Sequence, residues 1–227
     1  MLELENLRKE YPGTVAVADL SVRFAGGKVN AIVGKNGSGK STTIKMISGA
    51  ELPNTGTVRL DGNTLNMGST AEAIRNGIAT VYQELSLFPD LSVAENICFQ
   101  SLPHKGPKID WNGTRDRARA VLKELDLEVD VDVPVGTLSV GWQQLVEIAK
   151  AINHDLRVLI LDEPTSALSQ DEVSQLFSVV RKIRERGVVI LYISHRLQEL
   201  PIIADTVTVL RDGELVGHRE LSEITLN

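Results

Sequence analysis

The sequence predicts an α/β fold: a mainly parallel central sheet, an antiparallel β subdomain ahead of it, and a helical subdomain inserted into it. Three observations predict this. Val158-Leu159-Ile160-Leu161 and the run from Val188 to Ile193 are short apolar stretches without alternation, as in strands buried on both faces of a parallel sheet. Leu2 to Arg8 and Leu20 to Phe24 alternate apolar and polar residues, as half-exposed strands do. Ala118, Val121, Leu122 and Leu125, then Trp142, Leu145, Val146, Ala149 and Ile152, recur at helical spacing.

Taken in order, Tyr11-Pro12-Gly13 is a turn after the first strand, and Gly26-Gly27 leads into the apolar strand Val29 to Val33. Gly34-Lys35-Asn36-Gly37-Ser38-Gly39-Lys40-Ser41 follows, matching the phosphate-binding loop pattern at every fixed position. Thr42 to Ser48 then reads as a helix ending at Gly49, which completes the strand–loop–helix unit of a P-loop NTPase. Glycines let the backbone turn its N–H groups inward as an anion nest. The helix N-terminus adds about half a positive charge. In this pattern Lys40 reaches the β- and γ-phosphates and the Ser41 hydroxyl binds Mg²⁺.

Thr57 to Leu60 is a strand closed by Asp61-Gly62, Thr70 to Asn76 a short helix ending at Gly77, and Ile78 to Tyr82 another strand. From about Asp90 to Asn153 the pattern is helical, which marks the insertion (approximately 90–153). It is broken by a loop between Leu102 and Trp111 and by an acidic loop from Asp126 to Pro134. After the strand Val158 to Leu161, the residues Val173, Leu176, Phe177, Val180 and Ile183 form one helix face, and Gly187 ends that helix. Thr206 to Leu210 and Glu214 to Val216 flank Asp212-Gly213, a hairpin signal. Leu221 to Asn227 reads as the start of another element.

Composition narrows the function. A net charge of −6 and only 4% aromatic residues argue against a nucleic-acid-binding surface. The single cysteine, Cys98, excludes an internal disulfide and reads as a small buried hydrophobe. No apolar run approaches the ~18 residues of a membrane span, and the acidic, alternating start Met1-Leu2-Glu3-Leu4-Glu5 is not a signal peptide. Work at a membrane would therefore be that of a peripheral subunit.

Further residues carry chemistry. Asp162-Glu163-Pro164 follows an entirely apolar strand, so two carboxylates emerge together. Asp162 is placed to hold Mg²⁺ and Glu163 to polarise an attacking water. Gln83 follows the strand that ends at Tyr82; its amide can reach a metal or the water, or be solvated. Ser139 and Gly141 stand at a helix start, where they can cap the helix or bind a γ-phosphate. His195 follows the strand ending at Ile193, where it is either structural or in reach of the γ-phosphate.

The order of these motifs resembles the nucleotide-binding domain of ABC transporters, over nearly the whole chain as a single domain, 1–227. Three longer strings resemble the N-terminal half of the tandem ATPases of ribose-, galactose- and xylose-type importers. They are Val81-Tyr82-Gln83-Glu84-Leu85-Ser86-Leu87-Phe88-Pro89, Leu138-Ser139-Val140-Gly141-Trp142-Gln143-Gln144 and Tyr192-Ile193-Ser194-His195-Arg196. The resemblance implies that Tyr11 stacks on adenine and that Gly34, Lys35, Asn36, Gly37, Ser38, Gly39, Lys40, Ser41 and Thr42 wrap the phosphates of ATP. It implies Mg²⁺ at Ser41, Gln83 and Asp162, Glu163 as general base, and His195 on the γ-phosphate. Ser139 and Gly141 would meet ATP held by a second nucleotide-binding domain, a tandem half or a second copy. The segment Gln83 to Asn96 would dock on transmembrane permease subunits at the cytoplasmic face of the cell membrane, with a periplasmic-type sugar-binding protein as an indirect partner. The isolated domain would be soluble.

Three positions depart from the general pattern: Val140 replaces a signature glycine, Trp142 a glutamine and Ser169 an aspartate. The implied function is ATP hydrolysis coupled to uptake of a simple sugar. The alternative is a soluble ATPase switch of the same superfamily, for example one associated with ribosomes.

Overall fold

In the computed structural model, which describes residues 1–66, 68–153 and 155–224, the chain opens with a tight antiparallel hairpin. β1 (Leu2–Tyr11) and β2 (Thr14–Phe24) are joined by Pro12-Gly13 alone, so both strands run further than their alternating cores predict. Tyr11, expected in the turn, is the last residue of β1 and pairs with Thr14. β3 (Lys28–Val33) leads through the glycine-rich loop into α1 (Lys40–Ile47). β4 (Thr55–Leu60) and β5 (Asn63–Thr64) form a second hairpin. α2 (Thr70–Arg75), capped by the Ser69 side chain, precedes β6 (Ile78–Val81).

The next stretch is helical. α3 (Val93–Cys98) starts at a reciprocal capping box between Ser92 and Glu95. The segment expected as a loop after Leu102 instead contains a small hairpin, β7 (His104–Lys105) and β8 (Lys108–Ile109), because Gly106 takes a left-handed turn conformation at φ 63°. α4 (Trp111–Glu124) and α5 (Val140–Ile152) follow, with 126–134 forming no helix or strand between them. The α/β pattern resumes with β9 (Val158–Asp162), α6 (Gln170–Glu185), β10 (Val189–Ile193), the short α7 (Leu200–Ile203), β11 (Thr206–Arg211) and β12 (Glu214–Glu220). Leu221–Glu223 makes one 3₁₀ turn; the rest of the element expected there, 225–227, lies outside the described residues.

The ten strands β5-β4-β1-β2-β12-β11-β3-β10-β9-β6 form one sheet in that order. β11, β3, β10 and β9 are parallel neighbours, while β1, β2, β4 and β5 make the antiparallel arm. The chain divides into two compact units: 1–80, 157–163 and 183–227 in the first, 81–156 and 164–182 in the second.

In the first unit the parallel strands are mostly apolar and buried, and one polar residue stands at their centre. Asn30, in the middle of β3, is fully buried. Its Nδ2 donates to Ile190 O at 3.1 Å, Lys28 O at 3.1 Å and Ala25 O at 3.3 Å, and its Oδ1 accepts from Thr206 Oγ1 at 3.0 Å. The amide therefore ties β3 to β10 on one side and β11 on the other. In the second unit α3, α4 and α5 pack together around Ile97, Cys98, Ala118, Leu122, Leu145 and Ile148. Cys98 is the buried hydrophobe expected; burial pushes its thiol up, and Sγ donates to Thr114 O at 3.6 Å. Asn96, also fully buried, donates to Phe88 O and Leu91 O and accepts from the Phe88 N–H at 2.8 Å, shaping the loop ahead of α3.

Asn30→Ala strips partners from buried groups on three strands. The expected cost is about 2 kcal/mol, read as a lower urea midpoint with an unchanged slope; an unchanged midpoint would show that the amide does not hold these strands.

Candidate active site

The first unit places the phosphate loop between β3 and α1. Lys35, Asn36 and Gly37 form its exposed crest; Ser38, Gly39 and Lys40 are buried beneath. Gly34 is required by space, and Gly39 by space and by backbone. A Cβ on Gly34 would stand 2.3 Å from Ser38 Oγ and 2.4 Å from Leu210 O. Gly39, the residue before α1, has φ 99°, and a Cβ there would stand 2.7 Å from Ala16 O. The loop is also stitched to its neighbours: the Gly213 N–H donates to Ser38 O at 3.2 Å, and the Ala18 N–H donates to Gly213 O at 2.9 Å. Lys40 Nζ donates to Gly34 O at 2.8 Å and Lys35 O at 3.1 Å, which uses two of its three N–H donors and points the ammonium into the loop. The buried Ser38 Oγ has no hydrogen-bond partner, so the loop interior carries an unsatisfied polar group beside the lysine. Ser41 is exposed and Thr42 half-buried on the first turn of α1. Tyr11 is half-buried at the end of β1, with Lys9 Nζ 5.2 Å from its ring centre.

The acidic pair follows β9. Asp162 is the last residue of that strand and Glu163 the first beyond it. Glu163 adopts a left-handed conformation, φ 50°, a backbone state that carries strain in a residue with a Cβ. Its N–H donates to Ile193 O at 3.0 Å, which anchors it to the end of β10. Glu163 Oε1 lies 3.2 Å from His195 Nδ1, so the carboxylate and the imidazole following β10 are brought together. The residues around the end of β10 form a buried network that sequence reasoning missed. Glu199 Oε2 accepts from Tyr192 Oη at 2.7 Å and Ser194 Oγ at 3.3 Å, and Ser194 Oγ accepts from the Arg196 N–H at 2.9 Å. Glu199, six residues beyond the end of β10, was signalled only by its position, one helical turn beyond Arg196. The Asp162 carboxyl is pushed above its ordinary value by burial and, secondarily, by the charge of Glu163, with Lys40 opposing.

The second unit carries the other candidates. Gln83 is exposed in a bend just after β6. Phe88 and Phe99, both exposed, stack with ring centres 4.4 Å apart beside the segment 83–96. Ser139 caps α5: its Oγ accepts from the Trp142 N–H at 3.4 Å and donates to Glu172 Oε1 at 2.7 Å. Gly141 lets Glu172 approach closely: a Cβ there would stand 2.5 Å from Glu172 Cδ and would displace that side chain. Ser169, standing where the general pattern has aspartate, serves as the cap of α6: its Oγ accepts from the Glu172 N–H at 3.4 Å. The exposed Val140 and half-buried Trp142 have no structural explanation beyond their place on the first turn of α5. Glu172 is the second residue missed from sequence; Ser169-x-x-Glu172 is a capping-box spacing ahead of an apolar face, and that was its signal.

Comparison with known proteins gives a consistent picture. A family model described as ABC transporter matches residues 17–166. A ribose import ATP-binding protein from Rubrobacter xylanophilus is 46% identical over 217 residues, which cover 96% of this chain and 44% of that protein. An arabinose import ATP-binding protein from Mannheimia succiniciproducens is 42% identical over 225 residues, covering 99% of this chain and 45% of that protein. The chain thus spans less than half the length of these curated relatives. A dimeric bacterial ABC transporter cassette matches in structure with a TM-score of 0.81 at 27% identity, over 97% of this chain and 99% of the other.

The raised Asp162 carboxyl has a consequence for stability. The folded chain holds that proton more tightly than the unfolded chain does, so ionising Asp162 costs stability as pH rises above its ordinary value of 3.8. Asp162→Asn is expected to raise the melting temperature of the ligand-free protein near neutral pH by about 2 °C. The gain should vanish at acid pH, where the carboxyl is protonated in both states. Melting curves at the two pH values check this; a variant that melts lower at neutral pH would show that the carboxylate stabilises the fold.

Proposed function

The chain belongs to the ABC transporter family, and on that premise we propose that it is an ATP-binding and ATP-hydrolysing domain that drives uptake of a simple sugar. The observation that carries the catalytic reading is the acidic pair after β9: Glu163, left-handed and 3.2 Å from His195, beside a half-buried Asp162, in the unit that carries the phosphate loop.

In this reading the loop from Gly34 to Thr42 wraps the triphosphate, its N–H groups and the start of α1 facing the anion. Lys40 exchanges its loop carbonyl contacts for β- and γ-phosphate oxygens, and Tyr11 stacks on the adenine. Ser41 and Asp162, both in the first unit, would hold Mg²⁺, which would supply charge neutralisation on the phosphates. A carboxylate whose ionised form is disfavoured by burial and by a neighbouring acid fits a site that is completed by a cation. Glu163 accepts a proton from the attacking water, and His195 contacts the γ-phosphate and orients the Glu163 carboxylate. Charge stabilisation and positioning account for most catalysis of phosphoryl transfer, and these residues supply both.

Ser139 and Gly141 serve a different nucleotide, one held by a second nucleotide-binding domain, so that two domains enclose ATP between them. The dimeric cassette that this chain resembles supports that arrangement. The chain acts as one nucleotide-binding domain, with the helical stretch of about 90–153 as its inserted subdomain. The segment 83–96, with the Phe88–Phe99 aromatic pair exposed beside it, docks on membrane permease subunits at the cytoplasmic face. The sugar is delivered by a separate binding protein. Relatives named for ribose and arabinose import support the substrate class.

Glu163→Gln should lower ATP turnover about a hundredfold or more while ATP still binds. Phosphate release and nucleotide binding measured on the same preparation check this; turnover at the unmodified rate would remove Glu163 from the role of general base.

A further inference from the structure

The start of α5 already holds an anion, and that anion belongs to this chain. Glu172, on the first turn of α6, reaches across to it within the second unit. Ser139 Oγ donates to Glu172 Oε1 at 2.7 Å, and the Gly141 N–H faces the same carboxylate. A Cβ on Gly141 would stand 2.5 Å from Glu172 Oε1, so the fit leaves no room for a side chain. α5 has no acidic residue in its own first turn. Glu172 supplies from outside the negative charge that a helix N-terminus favours.

The other carboxylate oxygen has a separate task. Glu172 Oε2 accepts from the Ser169 N–H at 3.0 Å and from Ser169 Oγ at 2.9 Å, while the Glu172 N–H donates back to Ser169 Oγ. This reciprocal box caps α6. Losing the Ser139 contact therefore leaves the cap intact: Oε1 can let go while Oε2 stays. In the structure the carboxylate covers the start of α5 with Oε1, while the cap of α6 uses Oε2 alone.

Resting on the reading that Ser139 and Gly141 receive a γ-phosphate from a second domain, we propose that Glu172 is a built-in competitor which must release both residues before that phosphate can bind. Two anions cannot share one hydroxyl and one N–H at contact distance without strong repulsion. Contact is then either internal or with the nucleotide. Glu172 sets how much phosphate affinity is needed to make the switch, and the departure Ser169 becomes part of the device, because its hydroxyl retains the carboxylate when it withdraws.

The test follows backbone amide resonances of the ¹⁵N-labelled chain while inorganic phosphate is added at constant ionic strength. The amides of Gly39 and Lys40 report the phosphate loop and serve as an internal control for folding. Those of Gly141 and Trp142 report the start of α5. Glu172→Gln keeps the capping box, for which glutamine also serves, but removes the charge; Glu172→Ala empties the position. Phosphate affinity at Gly141 is expected to rise about fivefold or more in Glu172→Gln, and further in Glu172→Ala, with the Gly39 response unchanged. Equal responses at Gly141 in all three forms would overturn the proposal and leave the phosphate-binding reading of Ser139 and Gly141 standing. No response at Gly141 in any form, with Gly39 responding in all, would overturn that reading and the proposal with it.

Discussion

A single buried amide holds the catalytic end of the sheet in register. Asn30 is the polar residue in an otherwise apolar stretch of β3, and its amide reaches across to Ile190 O of β10 and Thr206 Oγ1 of β11. A slip of one residue in either pairing would take those cross-strand partners away from the amide. It would also displace the chemistry. The phosphate loop begins one residue after β3, Glu163 one residue after β9 and His195 two residues after β10. These lead out of parallel neighbours, so the register of the strands is the register of the site.

That frame holds several groups against their own preferences. Glu163 sits in a backbone state that costs on the order of 1 kcal/mol or more, anchored by Ile193 O and met by His195. Asp162 is kept where ionisation is disfavoured. Lys40 lies buried against carbonyls, and Glu199 takes two hydroxyls around the end of β10. Each of these arrangements would relax in an isolated loop. Their persistence shows how much of the sheet's stability is spent on positioning.

Much of this was legible in the sequence, and the limits have physical causes. The buried strands could be read because burial on both faces removes polar residues altogether, and the phosphate loop because its glycines answer to sterics that no other residue meets. Asp212-Gly213 announced its hairpin through the backbone conformation that both residues take, φ 51° and 81°. Sheet order was not legible, since β12 against β2 and β3 between β10 and β11 are pairings of distant segments that leave no local mark. The hairpin at 104–109 was hidden because two-residue strands are too short to show alternation. At the candidate site, residue types and spacing singled out Asp162, Glu163, Ser139 and Gly141. The partner of Ser139 and Gly141 was not legible: Glu172 lies 33 residues beyond Ser139 in the chain, and nothing local to either residue couples them. Ser169 read as a defect in a motif, whereas it is a helix cap.

The stitching of the phosphate loop has one more consequence. Ser38 O is tied to the turn of the β11–β12 hairpin, that turn is tied to Ala18 on β2, and Gly39 is wedged against Ala16. A glycine-rich loop would otherwise carry a large conformational entropy, to be surrendered whenever a ligand immobilised it. Here that surrender has already happened during folding. A ligand of this loop would therefore meet a backbone already tied in place, and its binding energy would go into contacts instead of into ordering the protein.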